Sequence, residues 1–144
     1  MKHLFLLLLP VAIFSNAQAQ KCKSKDVPAV VTNAFYKDYP NEKKCYWGKD
    51  SINYQVAFFM GKAPISVTYD ANGKKVITET QMPVEDLPQG IAAYVQKNSP
   101  GEIFKEVVQA HDASGVISYE VQVKDMALEF DAKGNYLESL KCNE

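Results

Sequence analysis

Two stretches of the chain place apolar residues at helical spacing. Val27, Val30, Val31, Ala34 and Phe35 fall at i, i+3, i+4, i+7 and i+8 (counting Val27 as i), the signature of a helix with one apolar side. Leu87, Ile91, Tyr94 and Val95 repeat the pattern further on. Pro28 and Pro88 suit an early helical position, where a missing N–H costs nothing. Asp26 and Asp86 put negative charge near the helix start, where the peptide dipole favours it. Pro40 and Pro100 end both segments, because a proline disfavours helical geometry in the residue before it.

The rest alternates with period two. Tyr54, Val56 and Phe58 share one face, while Gln55, Ala57 and Phe59 share the other. Ile65, Val67 and Tyr69 alternate with Ser66 and Thr68; Tyr119, Val121 and Val123 alternate with Glu120, Gln122 and Lys124; Leu128 and Phe130 alternate with Ala127 and Glu129. One apolar and one polar face describe an antiparallel sheet covered on one side. Gly61-Lys62 and Lys124-Asp125 mark tight hairpins, and Asp70-x-x-Gly73 and Asp131-x-x-Gly134 mark turns in which glycine supplies positive φ. Tyr46-Trp47 and Ile103 to Ala110 open the strands of each half, with Gly48 to Ser51 as the first hairpin tip. Val76 to Thr80 and Tyr136 to Leu140 close them.

These elements recur in order. Asp26-Val27-Pro28 is echoed by Asp86-Leu87-Pro88, and Tyr39-Pro40 by Ser99-Pro100, both 60 residues later. The Ile52 to Val56 pattern returns at Ile117 to Val121, and Tyr69-Asp70-Ala71-Asn72-Gly73 returns as Phe130-Asp131-Ala132-Lys133-Gly134. Four echoes in the same order indicate a tandem duplication. The expected fold is α+β, built from two units of a helix plus a four-stranded antiparallel segment, at about residues 24–81 and 84–141. Both helices would pack on one face of a continuous or nearly continuous antiparallel sheet, within a single domain over residues 20–144.

The first nineteen residues stand apart. A short positive start is followed by an apolar run from Leu4 to Phe14, broken only by Pro10. Ala17-x-Ala19 is the small-x-small pattern that a signal peptidase recognises, which predicts a signal peptide over residues 1–19 cut after Ala19. The run is short for a bilayer span, and the residues before Cys22 lack the pattern of a lipidated cysteine. The expected location is periplasmic or secreted, with no stable membrane span.

The helix opened by Asp26-Val27-Pro28 and closed by Tyr39-Pro40 resembles the PepSY-like, beta-lactamase-inhibitor-like family. So do the early strand at Trp47, the Tyr54-x-Val56 strand, and the Tyr/Phe-Asp-x-x-Gly turns before each last strand. The resemblance covers about residues 24–140 and both units, although the second has no tryptophan after Pro100. It implies a beta-lactamase-inhibitor-protein-like fold and a small exported protein of Gram-negative bacteria. It does not imply that any enzyme is inhibited, because a shared fold is a poor guide to activity.

Composition removes several functions. All 16 basic side chains are lysine, and the formal charge is −1. Bidentate guanidinium clamps are absent, and a near-neutral chain lacks the basic footprint of a nucleic-acid binder. With only His3 and His111, no histidine-based metal centre can form, and no cofactor is expected. Asp70-x-Asn72-Gly73 lacks the further acidic ligands of a calcium loop. Carboxylates are numerous but read as scattered surface acids. Cys45 and His111 are the only nucleophile–base pair of the cysteine class, with no local signature around either. Counting strand directions puts Cys22 and Cys142 at one end of the sheet as the candidate disulfide of an exported chain. Three free thiols or an intermolecular bridge are the alternatives.

Aromatic residues carry the remaining signal. Tyr46 and Trp47 are adjacent, so in a strand they point to opposite faces. Phe59 has the parity of the uncovered face. Together with Met60 and Asp50 these five residues form the candidate binding surface, as exposed aromatics beside polar groups suit protein contacts. The expected function is a non-enzymatic binding module, an inhibitor or partner of an envelope or extracellular protein. The alternative is a carrier of a lipid or metabolite in a pocket between helices and sheet.

Overall fold

The computed structural model describes residues 20–50 and 52–142. The expected signal peptide lies outside them. Nine strands form one antiparallel sheet in sequence order: β1 (Gln20–Cys22), β2 (Tyr46–Asp50), β3 (Asn53–Met60), β4 (Ala63–Asp70), β5 (Lys75–Gln81), β6 (Phe104–Asp112), β7 (Ile117–Val123), β8 (Met126–Asp131) and β9 (Tyr136–Lys141). Two ten-residue helices, α1 (Ala29–Asp38) and α2 (Gln89–Asn98), complete the fold. The sheet is continuous, because β5 of the first half pairs with β6 of the second from Ile77↔Asp112 to Gln81↔Val108.

Both helices lie on the same face. Val31 and Phe35 of α1 are buried with Trp47, Val56, Phe58, Val67 and Tyr69. Ile91 and Val95 of α2 are buried with Val107, Val121, Val123, Leu128 and Phe130. These two sets are copies of one another, position by position, so the duplication extends to the core itself. Phe35 centres the first set, with ring centroids 5.5 Å from Trp47 and 5.3 Å from Phe58. In the second, Tyr94 packs at 5.4 Å on Phe130 and stacks at 4.8 Å on Tyr136.

The repeated turns have a packing reason. Gly73 has φ +79°, and a Cβ there would sit 2.7 Å from the Val30 carbonyl oxygen, so the β4–β5 turn presses against the start of α1. Gly134, at φ +82°, faces the start of α2 more loosely, where a Cβ would sit 3.3 Å from Ile91 Cγ1. Asp70 and Asp131 hold these turns by accepting hydrogen bonds from two backbone N–H groups each, at 2.9 Å.

Several expectations are corrected. Pro28 and Pro88 precede the helices as caps: each carbonyl accepts from the N–H three residues on, at 2.9 Å. Asp26 and Asp86 end separate 3-10 turns ahead of them. Val30 is half exposed, since a narrower stripe through Val27, Val31 and Phe35 suffices to meet the sheet. β2 runs on to Asp50, so Gly48 to Asp50 are strand residues and the hairpin turns beyond them.

The largest correction concerns the cysteines. Cys22 belongs to β1, a strand that its short Gln-Lys-Cys sequence did not announce, while Cys142 follows β9. The two therefore occupy opposite edges of a nine-stranded sheet, on the order of 30–40 Å apart at the usual strand spacing, whereas a disulfide needs α-carbons within about 7 Å. Counting strand directions identifies an end of the sheet but says nothing of which edge. All three cysteines are free.

Two substitutions test this packing. Gly73→Ala is expected to lower unfolding stability by about 2–4 kcal/mol, adding backbone collision to positive-φ strain. Gly61→Ala has only the strain, because no atom lies within 4 Å of its Cβ position, and should cost about 1 kcal/mol. Urea denaturation read by circular dichroism gives both values; equal losses would refute the turn–helix contact.

Candidate functional site

The register assigns the five predicted surface residues. Tyr46 pairs with Ala57, and Phe59 lies two residues beyond Ala57 on the same face. This puts Tyr46 and Phe59 in diagonal reach of about 7–8 Å on the uncovered side. They are 68 % and 49 % exposed. Trp47 is different: it points to the helices and is only 5 % exposed, so it is a core residue and not a surface anchor. Met60 is exposed at the β3–β4 hairpin, opposite Ala63. Asp50 shares the face of Tyr46 but lies four residues away, about 13 Å along the strand, and faces Asn53. Sequence adjacency to the hairpin suggested a tighter group than the extended β2 permits.

The uncovered face has a second region that sequence reading missed. Glu79 (β5), Glu106 (β6), Glu120 (β7), Glu129 (β8) and Glu138 (β9) all point to it. Glu120 stands directly opposite Glu129, and Glu129 opposite Glu138. Both α1 and α2 lie on the other side, yet Glu79 and Glu129 are 3 % and 4 % exposed. Val108, Ala110 and Ala127 of the same face are buried around them. A cavity of about 20 Å³ lies among Glu79, Val108, Ala110, Ser118, Glu120 and Glu129. Glu79 Oε2 has no hydrogen-bond partner.

Burial and mutual repulsion set the charge state. Glu79 is pushed well above the usual carboxylate range, first by burial and then by Glu120 and Glu106. Glu129 is raised to about 7, by burial and then by Glu138. Burial also raises Glu106. Removing water disfavours the charged form, and like charges disfavour it further. These glutamates are therefore not the scattered surface acids expected from the sequence. One signal was available: a two-residue turn at Lys124-Asp125 fixes Glu120 opposite Glu129.

Other candidate chemistry dissolves. Cys45 precedes β2 and His111 lies in β6, so four strand steps, about 19 Å, separate them. Cys45 Sγ is instead 3.7 Å from the Tyr36 hydroxyl, and His111 Nε2 is 3.2 Å from Gln109 Oε1. Asp70, Asp112 and Asp131 spend their carboxylates on their own turns. Hydrogen bonds from these turns hold Asp112 and Asp131 below the ordinary range. Among the described residues no cluster of three His, Cys, Asp or Glu side chains is placed to hold a metal, and no helix is long and apolar enough to cross a membrane.

The raised Glu129 makes stability fall with pH. A folded-state value above the unfolded one means that the native protein binds the extra proton, so Glu129's contribution is fully present at or below about pH 4.5 and is lost as pH rises to about 7. Glu129→Gln keeps the shape without the titration. It should flatten that decline and leave the variant more stable than the parent at about pH 8, by on the order of 1–3 kcal/mol. Urea denaturation at about pH 5 and about pH 8 measures it; parallel pH profiles in the two proteins would show that Glu129 is not the titrating group.

Comparisons with known proteins agree with this architecture. The family described as "Putative beta-lactamase-inhibitor-like, PepSY-like" matches twice, at residues 15–74 and 52–138. A crystal structure from Bacteroides eggerthii, described as a putative periplasmic protein, is similar with a TM-score of 0.72 at 19 % identity, covering 80 % of this chain and 88 % of that one. A DUF2874 family protein from Bacteroides ovatus gives 0.71 at 20 % identity over 79 % and 86 %. A BLIP-like protein from Bacteroides fragilis gives 0.64 at 21 % identity over 79 % and 85 %. No curated protein sequence matches. With the duplicated helix-and-sheet unit matched across both halves, the chain belongs to the PepSY-like, beta-lactamase-inhibitor-like family.

Proposed function

We propose that this protein is an exported, non-enzymatic binding module whose uncovered sheet face is its contact surface. Residues 1–19 serve as the signal peptide, and residues 20–144 form one domain made of the two repeats. The partner is a protein of the envelope or the extracellular space, with a surface that sets an apolar spot beside basic side chains.

The observation that carries this reading is the asymmetry of the sheet. One face is filled by two helices; the other offers Tyr46 and Phe59 at one side and five glutamates at the other. Exposed aromatics anchor protein contacts, and a one-sign patch selects an oppositely charged partner. The family description and the BLIP-like neighbour are consistent with protein binding, and the neighbours described as periplasmic are consistent with export. The carrier alternative needs space between helices and sheet. That layer holds Phe35, Phe58, Tyr69, Ile91 and Phe130, all 1 % exposed or less, while a 310 Å³ cavity lies elsewhere, at the polar end of α2 by the β7–β8 hairpin.

Affinity capture from an envelope extract tests the proposal. The Tyr46→Ala/Phe59→Ala variant should lose its partner by at least about tenfold, since each anchor is worth about 1–2 kcal/mol, and should keep its circular dichroism spectrum. Trp47→Ala is the contrasting control: it should lower stability by about 3–5 kcal/mol as a core deletion. Undiminished capture by the folded double variant would reject the surface.

A further inference from the structure

We propose that Glu79 and Glu129 form a receptor for one primary ammonium group, supplied by a lysine side chain of the protein that docks on the uncovered face. This rests on the open-face reading and names the chemistry of its centre. Three observations carry it. Glu79 Oε2 is buried, unpartnered and lines the cavity; an unsatisfied buried polar atom costs about 1–3 kcal/mol, and a donor from outside would recover it. The cavity of about 20 Å³ holds one water-sized group. An ammonium head has that size and three donors, whereas a planar guanidinium is too large. Finally, among the described residues, strands β5 to β9 place no lysine at a paired position of this face.

Every strand around the cavity contributes to this charge balance. Glu79 comes from β5, Glu106 and Asp112 from β6, Glu120 from β7, Glu129 and Asp131 from β8, and Glu138 from β9. No lysine occupies an uncovered-face position on these five strands. Lys105 lies at the exposed bulge that opens β6, and its charge bears on Cys142 beside Gln122. A bound ammonium favours ionised carboxylates, so docking releases protons. Affinity should rise as pH climbs through the Glu129 value of about 7, roughly tenfold between about pH 6 and about pH 8.

The test uses n-butylammonium chloride as the lysine mimic, titrated into the exported protein and followed by carbon NMR of the glutamate carboxyls. Tetramethylammonium chloride, equally charged but too bulky and without N–H donors, controls for screening. The expected result is a saturable shift at Glu79 and Glu129 with butylammonium alone, tighter at the higher pH and lost in Glu79→Gln and Glu129→Gln. Both variants are near-isosteric, and circular dichroism verifies that they fold. An equal response to tetramethylammonium, no saturable shift, or binding unchanged in both variants overturns the receptor. Partner capture that survives both Gln variants overturns the lysine as its source, even where butylammonium binds. Capture lost in Tyr46→Ala/Phe59→Ala but unaffected by either Gln variant would leave the open-face reading standing without the receptor. Absence of any captured partner would sink that reading while the titration still decides the receptor.

Discussion

Nine strands in one sheet have two faces, and the described residues supply two short α-helices with which to cover them. Each helix is ten residues long, about 15 Å, enough to bury one face of its own half and no more. The rest of the architecture depends on that shortage. Both helices go to the same side because each follows the same turn of the duplicated unit, and each is pinned there by the Asp-x-x-Gly turn that closes that unit's strands. The hydrophobic contribution is concentrated in two equivalent clusters, one per half, joined only through the β5–β6 pairing.

The uncovered face then has to remain compatible with water. At its β2–β3 side it does so by ordinary means, with exposed tyrosine and phenylalanine among polar neighbours. Around β5 to β8 the solution is less stable. Side chains on adjacent strands stand close enough to shut out solvent, and the residues at the centre are carboxylic acids. Burial and neighbouring like charge both raise Glu79 and Glu129, so the energy falls when protons are retained. The resulting site gains most from an incoming cation.

Much of the architecture was legible from local pattern. Helical spacing through Val27, Val31 and Phe35, and again through Leu87, Ile91 and Val95, identified both helices. Period-two alternation identified the long strands, and glycines at 61, 73 and 134 marked turns that need positive φ. These signals are strong because a helix or hairpin obeys its own periodicity wherever it sits. The short β1 and the reach of β2 to Asp50 were not legible, because three residues set no period and a glycine in a strand looks like a turn.

The candidate site was legible only in part. Phe59 was placed on the uncovered face by parity alone, and adjacency put one of Tyr46 and Trp47 there without saying which. Which of Tyr46 and Trp47 turned inward depended on Phe35 offering a ring to pack against. The sequence by itself determined the two repeats, their helices, their turns and the sidedness of each strand, since all of these follow from spacing within a few residues. Only the tertiary structure decided that Cys22 and Cys142 sit at opposite edges and that Glu79 and Glu129 line one small cavity. Edge position and burial depend on which strands become neighbours across the whole chain, and nothing in local periodicity encodes that distance.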